Sequence, residues 1–301
     1  MRAARAFLSN LIDYAGLFPP ASLGMHEAVQ AYASYISGPD SDLLGRFVLP
    51  FARLDEFAES AAAVLPRGTS SDPWRVSLIA GSDLAAVRDS ALHFNCSHWK
   101  ESEMGHAVCD SIETPVADAE GVTTALSSTP EFFQLFLEVP LAKDPTPVIS
   151  AIAGTRAFAK MRTGGVTPET IPRSSDVIRF MQACRFHGVR FKATAGLHHA
   201  LRAEYPLTYE LAAPRGEMFG YLNVFLAAAF LDAGSGEEDL VRILEEGDAS
   251  AFRFDDDGVT WHDTHLSVEQ LQHAREHFAL SYGSCSFTEP VGEARELGLI
   301  D

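Results

Sequence analysis

Two lysines lie inside apolar segments of the chain, where a charged side chain is costly. Lys160 occurs in AFAKMRTGG (157–165) and Lys192 in VRFKATAGLHH (189–199), each near the end of a predicted strand. A buried ammonium group must be paired or neutralised. Neighbouring strands lie about 4.8 Å apart, so the two amines would lie close together. Each positive charge would then lower the pKa of the other amine. An amine with a lowered pKa forms a Schiff base with a carbonyl compound near neutral pH.

Three acidic residues in similar apolar surroundings are the predicted proton donors and acceptors. Asp13 occurs in LIDYAGL, Glu113 in SIETP and Glu138 in FLEVP. An acid among apolar residues is often a proton donor, which predicts this role for Asp13, and Glu113 or Glu138 could also move protons. The structural alternative pairs each lysine with Glu113 or Glu138 and makes Asp13 a helix cap or ion-pair partner. Because the two lysines lie on consecutive predicted strands, we favour a catalytic site.

The residues that follow Lys160 are predicted to bind an anionic group. Arg162 is followed by Thr163, Gly164 and Gly165. A guanidinium group forms paired hydrogen bonds with a carboxylate or phosphate, and the backbone N–H groups of a glycine turn can add to them. A turn that needs positive φ angles would also explain the two glycines.

Two adjacent histidines, His198 and His199, follow the seventh predicted strand. Adjacent residues on an extended strand point to opposite faces, so at most one of them is expected to face a site. That residue would shuttle protons or, together with Glu138, Glu113 or Asp13, bind a divalent metal ion. The spacing does not single out a metal site, so neither a metal nor a cofactor is predicted.

A strand-then-helix pattern repeats along the chain. Seven segments rich in β-forming residues are predicted as strands, at 11–17, 46–50, 74–80, 106–115, 132–140, 157–165 and 189–199. The first six are followed by predicted helices at 23–36, 54–65, 82–94, 117–127, 145–153 and 175–187. Units of roughly thirty residues predict parallel strands joined by right-handed crossovers.

The pattern favours a closed barrel over an open sheet. A barrel of eight units needs about 250 residues and places its chemistry at the C-terminal strand ends, where the lysines and glycines lie. An open nucleotide-binding sheet would carry G-x-G-x-x-G after an early strand, and the sequence has none. We therefore predict an α/β protein, a single-domain (β/α)8 TIM barrel over residues 1–301.

The pattern loosens before the last predicted unit, which indicates an insertion. A buried helix is predicted at 220–233, an exposed amphipathic helix at 237–246 and a two-stranded hairpin at 252–261. A further helix at 267–277 then leads to the eighth strand at 280–287.

Charge and composition restrict the partners. The chain of 301 residues has 23 Lys+Arg against 41 Asp+Glu, a net charge of −18. Such a surface repels nucleic acid and anionic membranes, while a local cationic cleft can still bind a small anion. The longest apolar run, 221–231, is interrupted by Asn223 and is shorter than the roughly 20 residues that a membrane span requires. We expect a small-molecule substrate, no nucleic-acid or membrane partner, and either a monomer or a homo-oligomer.

The cysteines favour a reducing compartment. The four cysteines contain no C-x-x-C pair, and the N-terminal segment has no signal-peptide core, so a cytoplasmic location is expected. Cys285, between Ser284 and Ser286, is predicted to be a buried thiol.

Five motifs occur in an order that resembles a known family. LIDYAGL, FLEVP, AKMRTGG, FKATAGLHH and YGSCS resemble the strand-end motifs of class I aldolases of the deoxyribose-phosphate aldolase type. The resemblance implies that Lys160 forms the imine, that Lys192 lowers its pKa, and that Ser284 and Ser286 belong to a substrate-binding loop for phosphate. Glu113 stands where that family has an Asp, and a relative with a different carbonyl substrate fits these motifs equally well.

Three hypotheses follow. The leading one is an enzyme that acts on a small carbonyl or anionic metabolite, a Schiff-base lyase of the aldolase kind using Lys160 and Lys192. The second is a divalent-metal-dependent barrel lyase or hydrolase using His198 or His199 with carboxylates. The third is a barrel that binds a ligand without catalysis, in which replacing either lysine leaves function intact.

Overall fold

The computed structural model describes residues 1–68, 72–81 and 83–301. Within these residues the strands, in chain order, are β1 (Ile12–Tyr14), β2 (Leu44–Pro50), β3 (Trp74–Ile79), β4 (Ala107–Pro115), β5 (Gln134–Glu138), β6 (Phe158–Arg162), β7 (Phe191–Thr194), β8 (Ala203–Pro206), β9 (Arg215–Met218), β10 (Phe252–Phe254), β11 (Gly258–Trp261), β12 (Thr264–Ser267) and β13 (Ala279–Ser284).

The described residues also form eleven α-helices. In chain order they are α1 (Arg2–Leu8), α2 (Met25–Ile36), α3 (Leu54–Ala61), α4 (Leu84–Ser97), α5 (Ala119–Ser128), α6 (Thr146–Ile152), α7 (Ser174–His187), α8 (Tyr221–Asp232), α9 (Glu237–Leu244), α10 (Val268–His277) and α11 (Thr288–Glu296). Position 82, where the predicted helix 82–94 begins, lies outside the described residues. No helix of the described part is long and apolar enough to span a bilayer.

Eight parallel strands close into a barrel. Their order around the barrel is β1-β13-β7-β6-β5-β4-β3-β2, and helices α2 to α7 alternate with strands β1 to β7 along the chain. The prediction of a (β/α)8 barrel is confirmed. Several predicted strands were too long because buried loop residues such as Leu17 and Leu197 continue the apolar pattern beyond the last strand residue.

The insertion before the last barrel strand is also confirmed, with a correction to its sheets. Helix α8 is buried along nearly all its length, and α9 buries only one face, as predicted. The predicted two-stranded hairpin is instead a three-stranded antiparallel sheet, β10-β11-β12. A second hairpin, β8-β9, was not predicted. Its strands are largely exposed, so they lack the apolar alternation by which a half-buried strand is recognised.

The register of the barrel aligns three charged residues on adjacent strands. Glu138 on β5 pairs with Lys160 on β6, and Lys160 pairs with Lys192 on β7. Phe136 and Phe158, in the layer nearer the N-terminal strand ends, stack with ring centroids 5.1 Å apart. Parallel pairing therefore places the ionic layer directly above an aromatic one.

An ion-pair cluster lies near the N-terminal ends of three strands. Arg46 on β2 donates to both carboxylate oxygens of Asp110 on β4, at 2.6 and 2.9 Å, and to Gln134 at 3.1 Å. Arg75 on β3 donates to the same Asp110 at 2.6 Å. The Arg46 side chain is 9% exposed, whereas that of Arg75 is 46% exposed. The two arginines thus hold one carboxylate, Arg46 from a buried position and Arg75 from a half-exposed one.

We expect Arg46→Met to lower the free energy of unfolding by about 3 kcal/mol, because it removes the buried partner of an ion pair. Arg75→Met removes the half-exposed partner of the same carboxylate, so it is expected to cost less than about 1 kcal/mol. Urea unfolding of both variants measures the difference. Equal losses in the two variants would contradict the assignment of Asp110 to a mainly buried pair with Arg46.

Candidate active site

A cavity of about 360 Å³ opens at the C-terminal ends of the barrel strands. Its lining includes the predicted catalytic residues Lys160, Lys192, Glu113 and Glu138, together with Arg162. This face carries the active sites of barrel enzymes, and the volume is within the range of small-molecule sites.

Lys160 forms two ion pairs at this cavity. Its Nζ lies 2.9 Å from Oε2 of Glu113 and 2.8 Å from Oε2 of Glu138. The lysine side chain is 4% exposed, whereas Glu138 is 23% exposed. The amine therefore lies between an enclosed carboxylate and one that faces the opening.

Lys192 lies deeper and is also held by two carboxylates. Its Nζ donates to Oδ2 of Asp13 at 2.6 Å and to Oε1 of Glu113 at 2.8 Å, and its side chain is 1% exposed. The two oxygens of Glu113 thus bind different lysines. The structure brings together all five predicted catalytic residues in one chain of contacts, from Asp13 through Lys192, Glu113 and Lys160 to Glu138.

The pKa shifts correct one expectation from the sequence. Burial alone would lower the pKa of Lys192, but Asp13 and Glu113 reverse this effect and raise it above its ordinary value. The prediction that the lysines lower each other's pKa is therefore wrong for Lys192. Burial alone would raise the pKa of Glu113, but the ammonium groups of Lys160 and Lys192 hold it well below its usual range. A carboxylate between two cations replaces their repulsion by attraction.

Backbone and hydroxyl groups fix the two buried acids. Asp13 accepts hydrogen bonds from Ser281 Oγ and from the Arg46 backbone N–H, each at 2.8 Å. A Cβ at Gly45 would overlap the Asp13 carboxylate, so this approach requires glycine. Ser77 Oγ donates to Oε1 of Glu113 at 2.7 Å. The two serines were missed, although a serine inside an apolar strand is a weak signal of such a role.

Arg162 contacts the outer acid of the network. Its Nε donates to Oε1 of Glu138 at 3.2 Å, and the arginine side chain is 52% exposed. Burial would raise the pKa of Glu138, but Lys160 and Arg162 together lower it below its ordinary value. Glu138 is thus an ionised acid between a buried and an exposed cation.

The turn after β6 is shaped by close packing. Thr163 donates its hydroxyl to the Ala195 carbonyl at 2.6 Å and does not line the cavity, unlike Gly164 and Gly165. Neither glycine has a positive φ, so that explanation of the glycines is wrong. A Cβ on Gly164 would lie 3.0 Å from Cα of Gly196, so the two loops can touch because both positions lack side chains.

The adjacent histidines point to different environments. His198 lines the cavity, with Nδ1 3.5 Å from Sγ of Cys285, which burial keeps protonated by raising its pKa to about 11. His199 lies outside the cavity lining, with Nδ1 2.6 Å from Oε1 of Glu293 and its ring stacked on Tyr205.

The loop after β13 differs from its predicted arrangement. Gly283 and Cys285 line the cavity, whereas Ser284 and Ser286 do not. Ser284 Oγ instead accepts the Ser286 backbone N–H at 3.3 Å. Cys285 was predicted only as a buried thiol, and its neighbour His198 comes from a distant strand end, so the sequence alone did not reveal the pair.

The described residues contain no group of three or more His, Cys, Asp or Glu side chains placed to hold a metal ion. Comparisons of the chain with protein-family models, with curated proteins and with solved structures give no match.

His198 is expected to make the fold sensitive to acid. Burial lowers its pKa from 6.5 to about 4, so between these values the unfolded chain binds the proton and the folded protein does not. Stability contributed by the neutral imidazole is lost as the pH falls through this window, by about 2 kcal/mol from about pH 7 to about pH 5.

In His198→Gln this contribution is absent, so the variant should lose about 2 kcal/mol less than the parent protein over the same interval. Urea unfolding of both proteins at both pH values measures the difference. Parallel losses would show that the imidazole titrates normally in the folded protein.

Proposed function

We propose that the protein is an amine-catalysed enzyme in which Lys160 forms a Schiff base with a small carbonyl compound. The observation that carries the proposal is the position of the Lys160 amine, at the cavity between Glu113 and Glu138. The fold supports it, because barrels of this kind commonly carry enzymes with their active sites at this face.

The ionic network suits the charge changes of imine formation. Lys160 begins as an ammonium ion with three protons on nitrogen. Two of them leave with the carbonyl oxygen as water, and one remains on the iminium nitrogen. The nitrogen centre is therefore positive before and after the reaction, and Glu113 and Glu138 stabilise both states.

Glu138 is the proton carrier of this proposal. The ammonium ion must transfer a proton before its nitrogen can attack, and Glu138 lies 2.8 Å from Nζ at the more open side of the site. After the amine attacks the carbonyl carbon, a second proton passes from the nitrogen to the former carbonyl oxygen and gives the carbinolamine. The protonated acid then returns its proton to the carbinolamine hydroxyl, which leaves as water as the C=N bond forms. Glu113 stays ionised, since the two ammonium groups depress its pKa. Asp13 and Lys192 act as positioning residues that hold Glu113.

The resemblance to class I aldolases adds the reaction class. An iminium ion withdraws electrons from the carbon next to it, the α carbon of the substrate. The bond between the α and β carbons can therefore break or form. We therefore propose a lyase of the aldolase kind, with Arg162 contacting a polar group of the substrate at the cavity opening.

A barrel that binds a ligand without catalysis is the alternative, and the complete pairing of both lysines favours it. In that case the ion pairs serve only to place charges in the interior. Chemical trapping separates the two functions, because only an imine can be reduced to a stable amine.

We expect sodium cyanoborohydride and a panel of aldehydes, ketones and sugar phosphates at low concentration to leave one preferred adduct, on Lys160, that forms faster than adducts on the exposed Lys100 and Lys143 and on the N-terminus. The chain has four lysines, Lys100, Lys143, Lys160 and Lys192, so peptide mass spectrometry assigns the position directly. The adduct should be absent from Lys160→Met and present in Lys143→Met, which removes an exposed lysine. Absence of any adduct on the folded protein, or its persistence in Lys160→Met, would overturn the proposal.

Glu138→Gln is expected to slow adduct formation roughly 100-fold, because the amide keeps the shape of the acid but cannot accept the proton. The exposed Glu131→Gln variant is the matched control and should react at the rate of the parent protein. The rate is followed by intact mass spectrometry at a fixed carbonyl concentration. Equal rates in Glu138→Gln and the parent would remove Glu138 from the mechanism.

A further inference from the structure

The cavity around Lys160 has two chemically different walls. Strand β1 with its following loop, and strands β2 and β3, are neighbours in the barrel. They line the cavity with apolar residues: Ala15, Phe18, Pro19, Val48 and Ile79. The ionic groups described above come mainly from β4 to β7 on the other side. A molecule whose polar end reaches Lys160 therefore lays its remaining atoms against hydrocarbon.

The ionic wall has no surplus of positive charge. Three cations are matched by three anions through the contacts already described: Lys160, Lys192 and Arg162 with Glu113, Glu138 and Asp13. A phosphate dianion entering this set would lose hydration without gaining a net attraction from it. The equal numbers of positive and negative groups favour an uncharged ligand beside Lys160.

In the loop after β13, two backbone N–H groups that could bind a phosphate already donate to serine hydroxyls. Ser286 Oγ accepts the Glu289 backbone N–H at 3.1 Å, and Ser284 Oγ accepts the Ser286 backbone N–H. Glu289 itself lies in the first turn of α11 and accepts a hydrogen bond from Tyr209 at 2.9 Å. An acidic side chain in the first turn of a helix adds negative charge where a phosphate would otherwise be favoured.

The geometry points to an unphosphorylated carbonyl compound with an apolar body as the substrate of this site. Its carbonyl carbon lies at Lys160, and its hydrocarbon part packs against Ala15, Val48 and Ile79. The volume of about 360 Å³ limits it to a small metabolite. The assignment rests on the proposed function, since it takes the Lys160 side of the cavity as the reacting side.

Aliphatic alcohols test the apolar wall separately from the chemistry, because they cannot form an imine. Dissociation constants of 1-butanol, 1-hexanol and hexyl phosphate are measured by NMR on methyl-labelled protein. We expect 1-hexanol to bind roughly tenfold more tightly than 1-butanol, since each buried methylene improves binding about fourfold at most. Hexyl phosphate is expected to bind at least about tenfold more weakly than 1-hexanol, because its dianion meets a wall with no net positive charge.

A pair of matched variants locates the binding. Val48→Thr places a hydroxyl in the apolar wall and should weaken 1-hexanol binding about threefold or more. Val108→Thr makes the same change on β4 at a residue that does not line the cavity, and should leave the dissociation constant unchanged.

The outcomes distinguish this inference from the proposed function. Equal or tighter binding of hexyl phosphate, no dependence on chain length, or no binding of any alcohol would overturn the apolar substrate class. Trapping on Lys160 by sugar phosphates only would also overturn it and leave imine catalysis standing. Alcohol binding as expected, with no carbonyl compound trapped, would overturn imine catalysis and leave an apolar ligand assigned to the cavity.

Discussion

The Glu113 carboxylate, held between two buried ammonium groups, is the interaction on which the interior of this barrel depends. One oxygen binds Lys160 and the other binds Lys192. Without this acid, two like charges on neighbouring strands would face each other with little water to screen them. Each of the remaining contacts of the site completes the same balance: Asp13 adds a second anion to Lys192, and Glu138 adds one to Lys160.

This balance changes the way an amine can be activated. Repulsion between two lysines would activate an amine by favouring its neutral form, as the sequence suggests. In the structure each lysine forms ion pairs with carboxylates, so in the proposed mechanism a reactive amine would arise by proton transfer within an ion pair. Glu138 is suited to that transfer, because it touches the amine and faces the opening, whereas Glu113 is enclosed and shared. In the proposed imine formation the charge on the lysine nitrogen would stay positive, whereas an isolated neutral amine would become charged.

Much of the fold follows from local sequence patterns. Short apolar segments that alternate with helical periodicity predicted the barrel, its strand order of appearance and the insertion before the last strand. The errors are of two kinds. Strand ends were placed too late where loop residues such as Leu197 are buried, and the hairpin β8-β9 was missed because its exposed strands lack an apolar pattern. Whether a loop residue is buried, and whether two exposed strands pair, both depend on contacts with other parts of the folded chain.

For the candidate site, too, the sequence predicts one part and the tertiary structure decides the other. The sequence by itself determined which chemical groups are present at the strand ends: two lysines, three acids, an arginine and a histidine in unusually apolar surroundings. Only the tertiary structure decided which of them touch. Lys192 and Asp13 are 179 positions apart and meet at 2.6 Å because closure of the barrel makes β1 and β7 both neighbours of β13. The tertiary structure also leaves Ser284 and Ser286 outside the cavity lining, and it places apolar residues of β2 and β3 in that lining together with Lys160. The periodicity of a single segment reports its own burial, but the partner of a buried charge is set by the packing of the whole barrel.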